Sequence, residues 1–363
     1  MGELLQRLEQ LLVVELNQRC RAVLLAKKAI YLSRIGQFDE AKAITTELRI
    51  AFGAGESVQI SVWIMLLEGI RLLYEDISPA AHDRVHRAQF LSLAIKDASL
   101  IAITSAWKAH LEFERSDFQA MIASVQIAVT NAAEEDHDAI ARLSMVLADA
   151  HFLCGNRKDA QIWFMRSRSH AVSSGDRATT EALLYNRAAF GTAWLRAESC
   201  FSRNNSGELA LIRLEVASAR NFQDITKISA LSHLIALCDA RLLILESEFE
   251  RAISALEVVR DCGPFANYNF NQDLIDLELA YCLMKLDRIT EALETFGRIR
   301  GNDLAGMDVD DRLAVAWLRS EVTIKDGRFG DHALERLKLE AVRDEYIESR
   351  QSLRKLLMPF TEA

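Results

Sequence analysis

The strongest constraint on how this chain can fold is a repeat with a step of about 40 residues. A small residue recurs once per step, and a second small or apolar residue follows it after a turn. The first set comprises Ala29, Gly69, Ala109, Ala148, Ala240 and Ala280. The second set comprises Ala41, Ala81, Met121, Ala160, Ala252 and Ala292. A period in this range predicts stacked structural units, because one unit alone leaves an apolar face uncovered.

The segments between the two sets have the composition of turns that end helices. A glycine, serine or aspartate is followed in most of them by an aromatic or β-branched residue. The turns are Gly36–Phe38, Ser116–Phe118, Gly155–Arg157, Ser247–Phe249, Asp287–Ile289 and Asp326–Phe329. The breaker ends the first helix, and the small residues let the second helix approach closely. Each unit is therefore expected to be a hairpin of two helices.

These positions resemble the tetratricopeptide repeat (TPR), in which a small residue, glycine, an aromatic residue and alanine stand at set offsets. The step here is longer than that of the usual TPR unit, and is similar to the long-helix repeats of MalT-type bacterial regulators. The resemblance covers most of residues 15–340. It implies an all-α, right-handed α-solenoid of about eight TPR-like helix hairpins.

The resemblance implies one superhelical domain over residues 1–363, with an N-terminal helix at 1–16, repeats at 17–328 and a last helix at 329–358. The fifth unit departs from the pattern, because the step from Ala160 to Ala210 is longer and predicts a local irregularity. The last helix is expected to be a C-terminal capping helix, and a dimerising helix is the alternative. Its apolar stripe comprises Leu339, Val342, Tyr346, Leu353 and Leu356.

Composition agrees with helices and excludes several classes of function. Half of the residues are hydrophobic (50%), with only three prolines and 15 glycines, too few turn residues for a sandwich or barrel. The formal net charge of −9 disfavours sequence-independent binding to nucleic acid. The six cysteines are scattered without a C-x-x-C pair, which is typical of free thiols in a reducing cytoplasm. No segment is apolar enough to predict a membrane span.

Candidate chemistry is sparse, and we expect no catalytic residues, metal site or cofactor. The sequence lacks a P-loop motif. His82 and His86 share a helix face as in H-E-x-x-H zinc sites, but Asp83 replaces the glutamate, and a solvated pair is the favoured interpretation. The acidic clusters at 134–136 and 308–311 precede helices, where they suit helix capping. The aromatic loop Gly263–Phe270 is either a recognition patch or packing between repeats.

The TPR resemblance also implies a binding surface, because the first helix of each hairpin lines the concave groove of such proteins. By register, the implied groove residues mix aromatic side chains with both signs of charge, which suits a partner helix or mixed-charge segment. For each residue taken singly, packing between helices is the alternative interpretation. The set comprises Trp63, Ile70, Tyr74, His110, Phe113, Arg142, Asp149, Arg241, Tyr281, Lys285, Glu321 and Lys325.

Two functions from different classes follow as hypotheses. The first is a non-enzymatic, cytoplasmic scaffold or adaptor that holds a protein or peptide partner in the groove. The second is a ligand- or peptide-responsive regulator that controls a separate effector, since no DNA-binding or ATPase segment is evident. A homodimer through the last helix is a further option, and a membrane or nucleic-acid partner is not expected.

Overall fold

The computed structural model describes residues 2–53, 55, 57–76, 78–202, 206–226, 232–262, 269–299, 307–325 and 329–361. In these ranges the chain has 17 α-helices, one 3-10 turn at Met358–Phe360 and no strand, which confirms the predicted all-α class. The helices are α1 (Glu3–Val14), α2 (Gln18–Arg34), α3 (Phe38–Phe52), α4 (Val58–Asp76), α5 (Ala80–Ile95), α6 (Ala98–Glu114), α7 (Phe118–Asn131), α8 (His137–Leu153), α9 (Arg157–Ser174), α10 (Arg177–Cys200), α11 (Ser206–Thr226), α12 (Ser232–Leu245), α13 (Phe249–Cys262), α14 (Asn269–Lys285), α15 (Ile289–Gly297), α16 (Val309–Lys325) and α17 (Phe329–Leu356).

Five of the predicted turns share one backbone conformation. In each, three residues separate the two helices, and the middle one of these three adopts a positive φ angle that ends the preceding helix. The middle residues and their φ angles are Gly36 (85°), Ser116 (57°), Gly155 (81°), Ser247 (62°) and Asp287 (64°). In the α2–α3 turn, the N–H of Gln37 donates to the carbonyl of Leu32 at 2.9 Å, and the equivalent bond recurs in the other four turns. The sequence therefore predicted these turns correctly.

Helices that follow one another pack as hairpins. Contacts join α2 to α3, α4 to α5, α6 to α7, α8 to α9, α12 to α13 and α14 to α15. The first helices also contact one another in the α2–α4, α6–α8 and α14–α16 pairs. Every small or apolar residue of the two repeated sets is buried. The burial expected at the predicted close crossings is thus confirmed at these positions.

The chain divides into two compact units. Unit 1 comprises Met1–Leu183, Gln223–Ala230 and Arg354–Ala363, and unit 2 comprises Leu184–Phe222 and Leu231–Leu353. The main core of unit 1 is built by residues of α1 to α6, together with Ala178 at the start of α10. The main core of unit 2 is built by residues of α12 to α16. The predicted assignment of one domain to the whole chain stays a prediction.

The N-terminal helix α1 packs inside unit 1. Its buried residues are Leu5, Leu8 and Leu12, and Leu5 belongs to the unit 1 core. The N–H of Leu4 donates to the carbonyl of Gly175 at 3.3 Å, in the turn between α9 and α10. Helix α1 therefore contacts both the first hairpin and a turn that lies far along the chain.

The last helix buries most of its apolar stripe within the chain. Leu339, Val342 and Tyr346 join a small core in unit 2, and Leu353 is fully buried. Beyond the helix, the carbonyl of Phe360 accepts hydrogen bonds in unit 1 from Trp163 Nε1 at 2.9 Å and His151 Nε2 at 3.1 Å. These contacts favour the capping interpretation, and dimerisation stays an untested alternative.

The fifth hairpin is long because both of its helices are long. Helix α10 has 24 residues and α11 has 21, and Gly191 of α10 packs against Ile212 of α11. Within the aromatic loop singled out in the sequence, residues 263–268 lie outside the described residues. Across the described ranges, no helix combines the length and apolar character that crossing a bilayer requires.

A substitution at Gly69 tests the close crossing of α4 and α5. A Cβ atom there would lie 2.6 Å from Val85 Cγ2 and 3.1 Å from the carbonyl oxygen of Ala81. Overpacking of this kind costs about 1–3 kcal/mol, whereas alanine exceeds glycine in helix propensity by only about 1 kcal/mol. We therefore expect Gly69→Ala to lower the midpoint of thermal unfolding, measured by circular dichroism.

Gly207→Ala is the matched control, because a Cβ atom at Gly207 of α11 meets nothing within 4 Å. This variant should keep or raise the midpoint. Equal midpoints for both variants and the parent protein would contradict the close crossing.

Candidate functional site

The first candidate site, the inner cavity, lies in unit 1 and has a volume of about 50 Å³. Most of its walls come from the first helices of successive hairpins, and α1 adds leucine side chains. The lining residues are Leu4, Leu8, Lys27, Ile30, Tyr31, Arg34, Trp63, Ile103, Trp107, Asp138, Arg142, Asp176 and Thr179. The cavity is therefore aromatic and strongly charged, with residues of both signs.

Trp107 of α6 organises the polar wall of the inner cavity. The guanidinium carbon of Arg142 lies 3.8 Å from the centre of the Trp107 ring, and that of Arg34 lies 5.9 Å from it. Tyr74 and His110 meet the same ring edge-on, with ring centres 6.4 Å and 5.8 Å away. A cation over a desolvated indole ring gains about 2 kcal/mol, so this stacking stabilises Arg142 in its position.

Arg142 is nevertheless incompletely paired. It is only 2% exposed, and its Nε and Nη1 atoms have no hydrogen-bond partner among the described residues. Burial lowers the pKa of Arg142, and Arg34 lowers it further, while Tyr74 and Asp176 oppose that change. An unmet buried cation is costly, because the donors lose water without gaining an acceptor.

Arg34 differs from Arg142 because it has a carboxylate partner. Arg34 Nη1 donates to Asp176 Oδ2 at 2.7 Å, and Arg34 Nη2 donates to the Thr179 hydroxyl at 2.5 Å. Asp176 also accepts the backbone N–H of Thr179 at 3.0 Å, as the cap of α10. Burial alone would raise the pKa of Asp176, but Arg34 and the Thr179 hydrogen bonds lower it. This network is a buried ion pair in which both terminal nitrogens of Arg34 have acceptors, whereas Arg34 Nε has none among the described residues.

An outer cavity of about 410 Å³ adjoins the inner one. The two cavities share the six lining residues Leu4, Leu8, Lys27, Trp63, Ile103 and Asp138. The outer cavity adds three acidic residues, Asp97, Glu135 and Asp136, to the shared Asp138. Asp97 caps α6, and Asp136 accepts a hydrogen bond from Ser99. The outer cavity is therefore acidic, whereas Arg34 and Arg142 lie in the inner one.

Asp138 stands four residues before Arg142 on α8, and both side chains line the inner cavity. Asp138 is accessible from the cavities, but the surrounding protein raises its pKa by desolvation, and Asp176 adds to the increase. Lys27 and Arg34 oppose that increase. An acid and a base thus line the inner cavity from one helix face, one turn apart.

His110 is buried beside these cations. Its Nδ1 atom has no hydrogen-bond partner in the described part of the chain. Burial lowers the pKa of His110 well below its ordinary value, and Arg142 and Arg34 lower it further. His110 is therefore neutral at pH 7.

A second candidate site, the unit 2 pocket, has a volume of about 180 Å³. Three aromatic side chains line it in a chain of contacts. The ring centre of Tyr281 lies 6.1 Å from that of Phe249 and 5.1 Å from that of Trp317. The pocket is thus suited to an apolar or aromatic side chain of a ligand.

The arginines of the unit 2 pocket are paired with carboxylates, although Glu278 Oε2 has no hydrogen-bond partner among the described residues. Glu278 Oε1 accepts from Arg241 Nε at 2.9 Å and from Arg196 Nη1 at 3.1 Å. Arg196 also donates to Asp311. Beside the pocket, Lys285 Nζ lies 4.9 Å from the Tyr281 ring centre and 3.3 Å from Glu321 Oε2.

The residues predicted for the groove fall into three groups. Trp63 and Arg142 line the inner cavity, and Arg241 and Tyr281 line the unit 2 pocket. A second group borders these sites without lining them and comprises Tyr74, His110, Lys285 and Glu321. A third group is packed into the protein and comprises Ile70, Phe113 and Asp149. The side chain of Lys325 lies outside the described residues.

The histidine string on α5 has the geometry of a surface pair. Ala81, Val85 and Ala88 are buried, as predicted from the repeat register. The rings of His82 and His86 stack with centres 6.2 Å apart, and His86 is exposed. Within the described residues, no group of three or more histidine, cysteine, aspartate or glutamate side chains has a metal-binding arrangement.

The acidic cluster before α16 makes structural contacts. Asp308 Oδ1 accepts the backbone N–H of Asp311 at 2.8 Å, as an N-cap does. Asp310 pairs with Arg350, and Asp311 pairs with Arg196. These contacts agree with the predicted capping role.

Of the thirteen residues that line the inner cavity, the sequence analysis named only Trp63 and Arg142, and it missed Arg34, Trp107, Asp138 and Asp176 among the rest. Trp107 stands three residues before His110 on α6, so the helical register could have identified it. Arg34 and Asp176 are separated by 142 positions, and no local signal connects them. Only the folded chain brings this pair together.

Comparisons with known proteins identify no relative. No protein-family model matches the sequence, and no curated protein is significantly similar to it. The candidate sites therefore stand on their geometry alone.

The Arg34–Asp176 pair should matter more to stability than an exposed pair. Asp176→Asn leaves Arg34 buried without a counter-charge, so we expect the free energy of unfolding to fall by about 3–5 kcal/mol. The double variant, Asp176→Asn with Arg34→Met, should lose less free energy of unfolding than the two single variants lose in sum, because it removes both charges. Urea denaturation measures all three values.

The exposed pair of Asp83 and Arg87, 3.0 Å apart, supplies the control. Asp83→Asn should cost less than about 1 kcal/mol. If Asp83→Asn and Asp176→Asn lowered the free energy of unfolding by similar amounts, the larger contribution expected of the buried pair would be contradicted.

The lowered pKa of His110 predicts an acid-sensitive contribution to stability. When the pKa of a histidine is lower in the folded state than in the unfolded state, protonation favours the unfolded state. The stabilising contribution is therefore present above the unfolded pKa, about 6.5, and is lost as the pH falls toward the folded pKa. The free energy of unfolding should therefore decline below pH 6.5, by at most about 1.4 kcal/mol per pH unit for this proton.

Urea titrations at several pH values measure this decline, and His110→Gln should make it shallower. The exposed His86 supplies the control, since His86→Gln should leave the decline unchanged. Identical pH profiles for the parent protein and His110→Gln would exclude this role.

Proposed function

We propose that this chain is a non-enzymatic scaffold or adaptor that holds a segment of a partner protein in the concave groove of a superhelix. In this proposal, α2 to α17 form a right-handed solenoid of about eight TPR-like hairpins, and α1 is the N-terminal helix. The order of the helices and the recurring three-residue turns support the proposal. No catalytic role, metal or cofactor is part of it.

The unit 2 pocket carries this proposal most directly. Its walls come largely from α10, α12, α14 and α16, which are the first helices of successive hairpins and would line the groove. Tyr281 and Trp317 offer an aromatic pocket for an anchoring side chain of the partner. Lys285 and Glu321 lie beside it with opposite charges. An apolar anchor with mixed charge around it suits an amphipathic helix or extended segment.

The proposed location is the cytoplasm, in a reducing compartment. The described cysteines Cys20, Cys154, Cys200, Cys238 and Cys282 are free thiols. Burial raises the pKa of Cys238 to about 11 and that of Cys200 to about 12, so these thiols are weak nucleophiles. Packing inside the fold explains them, and the proposal requires no redox chemistry.

The test of partner binding uses variants at the rim and at the wall of the unit 2 pocket. The tagged full chain should retain a stoichiometric partner from native lysate. Lys285→Ala and Trp317→Leu should each weaken that binding at least about tenfold, because anchors of this kind are worth 2 kcal/mol or more. Quantitative capture measures binding, and thermal unfolding verifies that each variant is folded.

Phe90→Ala is the control, since Phe90 is 66% exposed on α5, the second helix of its hairpin. It should bind the partner as the parent chain does. A partner lost equally with all three variants, or none recovered under several lysis conditions, contradicts the proposal.

A second candidate function, a ligand-responsive regulator of a separate effector, is favoured by one observation in unit 1. Arg142 lines an aromatic cavity, and two of its buried nitrogen atoms have no partner in the described chain. A scaffold that binds only through its groove has no need for such a group. A small ligand would complete it and thereby stabilise unit 1.

A further inference from the structure

The charged side chains of the inner cavity indicate the chemistry of the ligand that would bind there. Arg142 presents unmet Nε and Nη1 donors although it is 2% exposed. Its guanidinium carbon lies over the Trp107 ring, 3.8 Å from the ring centre. A planar guanidinium held in one orientation is a preformed partner for a planar carboxylate, which accepts short, charge-assisted hydrogen bonds.

A second charge lies at a defined distance on the same helix. Asp138 precedes Arg142 by one helical turn, which separates their Cα atoms by about 6 Å along the axis. Both side chains line the inner cavity. Two further carboxylates interact with these arginines. Asp176 is already paired with Arg34. Burial raises the pKa of Glu114 and Arg142 opposes that rise, but Glu114 does not line the cavity. The cavity thus holds one accessible acid and one cation, Arg142, which is hydrogen-bonded to Tyr74 but has two donors without a partner among the described residues.

We propose that the inner cavity binds a small zwitterion of the amino-acid type, with its carboxylate on Arg142 and its ammonium group on Asp138. This inference rests on the second candidate function and names the class of its ligand. The ligand carboxylate lies over the edge of Trp107 and supplies the acceptor that the fold lacks. The ligand ammonium group faces the acidic outer cavity.

The surrounding charges select against other ligand classes. A phosphate dianion would pair with Arg142, but the negative charges of Asp138 and Asp176 would repel it. A neutral ligand would leave the charge of Arg142 uncompensated. A cation without a carboxylate would add positive charge beside Lys27, Arg34 and Arg142. A zwitterion satisfies both signs at once.

The dimensions agree with this ligand. A volume of about 50 Å³ exceeds the roughly 10–15 Å³ that one water requires, and it accommodates a carboxylate group. The outer cavity, at about 410 Å³, has room for the remainder of the ligand. Trp63, shared by both cavities, supplies an apolar surface where they join.

The experiment measures thermal unfolding of the purified full chain with defined probes. The probes are the standard α-amino acids, γ-aminobutyrate and glycine betaine, each at millimolar concentration. At least one probe should raise the unfolding midpoint. Where that probe is an amino acid, its amide and N-acetyl derivatives should not, since each lacks one charge. Calorimetric titration of the active probe then gives its dissociation constant.

Variants assign the effect to the cavity. Arg142→Met keeps the side-chain volume and should abolish the midpoint shift. Asp138→Asn should weaken binding at least about tenfold, and it is accessible, so it tests the site even if Arg142→Met does not fold. Arg87→Met, at an exposed arginine of α5, should respond to the probe as the parent chain does.

Two results overturn the proposal. In one, no zwitterion raises the midpoint; if acetate or phosphate does so instead, ligand responsiveness stands and only the ligand class is wrong. In the other, Arg142→Met or Asp138→Asn binds the active probe with unchanged affinity. Neither result bears on partner binding at the unit 2 pocket, which has its own variants.

Discussion

The close crossing of the two helices in a hairpin is the constraint on which the rest of this structure depends. At the α4–α5 crossing the fold has no space for a single methyl group at Gly69, where a Cβ atom would meet Val85 at 2.6 Å. In the α2–α3 and α6–α7 hairpins, the turn before the second helix reverses the chain within three residues, through a positive φ angle at Gly36 or Ser116. Small residues and left-handed turns therefore act as one device, repeated along the chain.

This repeated combination of small residues and turns determines where side chains that can bind a ligand are placed. Once the second helices are closely packed against the first, the remaining face of each first helix turns to its neighbours. In unit 1 these faces converge on Trp107, and two arginines stack on or near its ring. In unit 2 they converge on Tyr281 and Trp317. The same packing rule thus generates one site in which Arg142 has two donors without a partner among the described residues, and another in which Arg196 and Arg241 pair with Glu278.

Arg34 and Arg142 are two buried cations that differ in their partners. Both are buried beside the same indole ring, but Arg34 has Asp176 and Thr179 as partners. Its pKa is raised despite burial, because Asp176 favours the charged form. The pKa of Arg142 is lowered, because burial and the charge of Arg34 outweigh the opposing effects of Tyr74 and Asp176. A folded chain tolerates such an imbalance where an external group can correct it.

Particular residues show what could be predicted without coordinates. The turns and the buried small residues follow from a local pattern, since helix breaking and close packing depend on neighbours in sequence. Trp63, Arg142, Arg241 and Tyr281 were identified by register and do line cavities. Ile70 and Phe113 share that register but are packed into the cores. The helical register predicts the face of the helix on which a side chain lies. Whether that side chain lines a cavity or is packed into the core depends on the neighbouring helices.

The sequence by itself determined the all-α class, the hairpin turns and the spacing of the close crossings, because each depends on short-range sterics. Tertiary structure alone decided that Arg34 meets Asp176 across 142 positions and that Arg142 is left with unmet donors. It also placed the leucines of α1 against the inner cavity. These outcomes depend on how distant hairpins converge, and the energy of a buried charge is set by that three-dimensional environment.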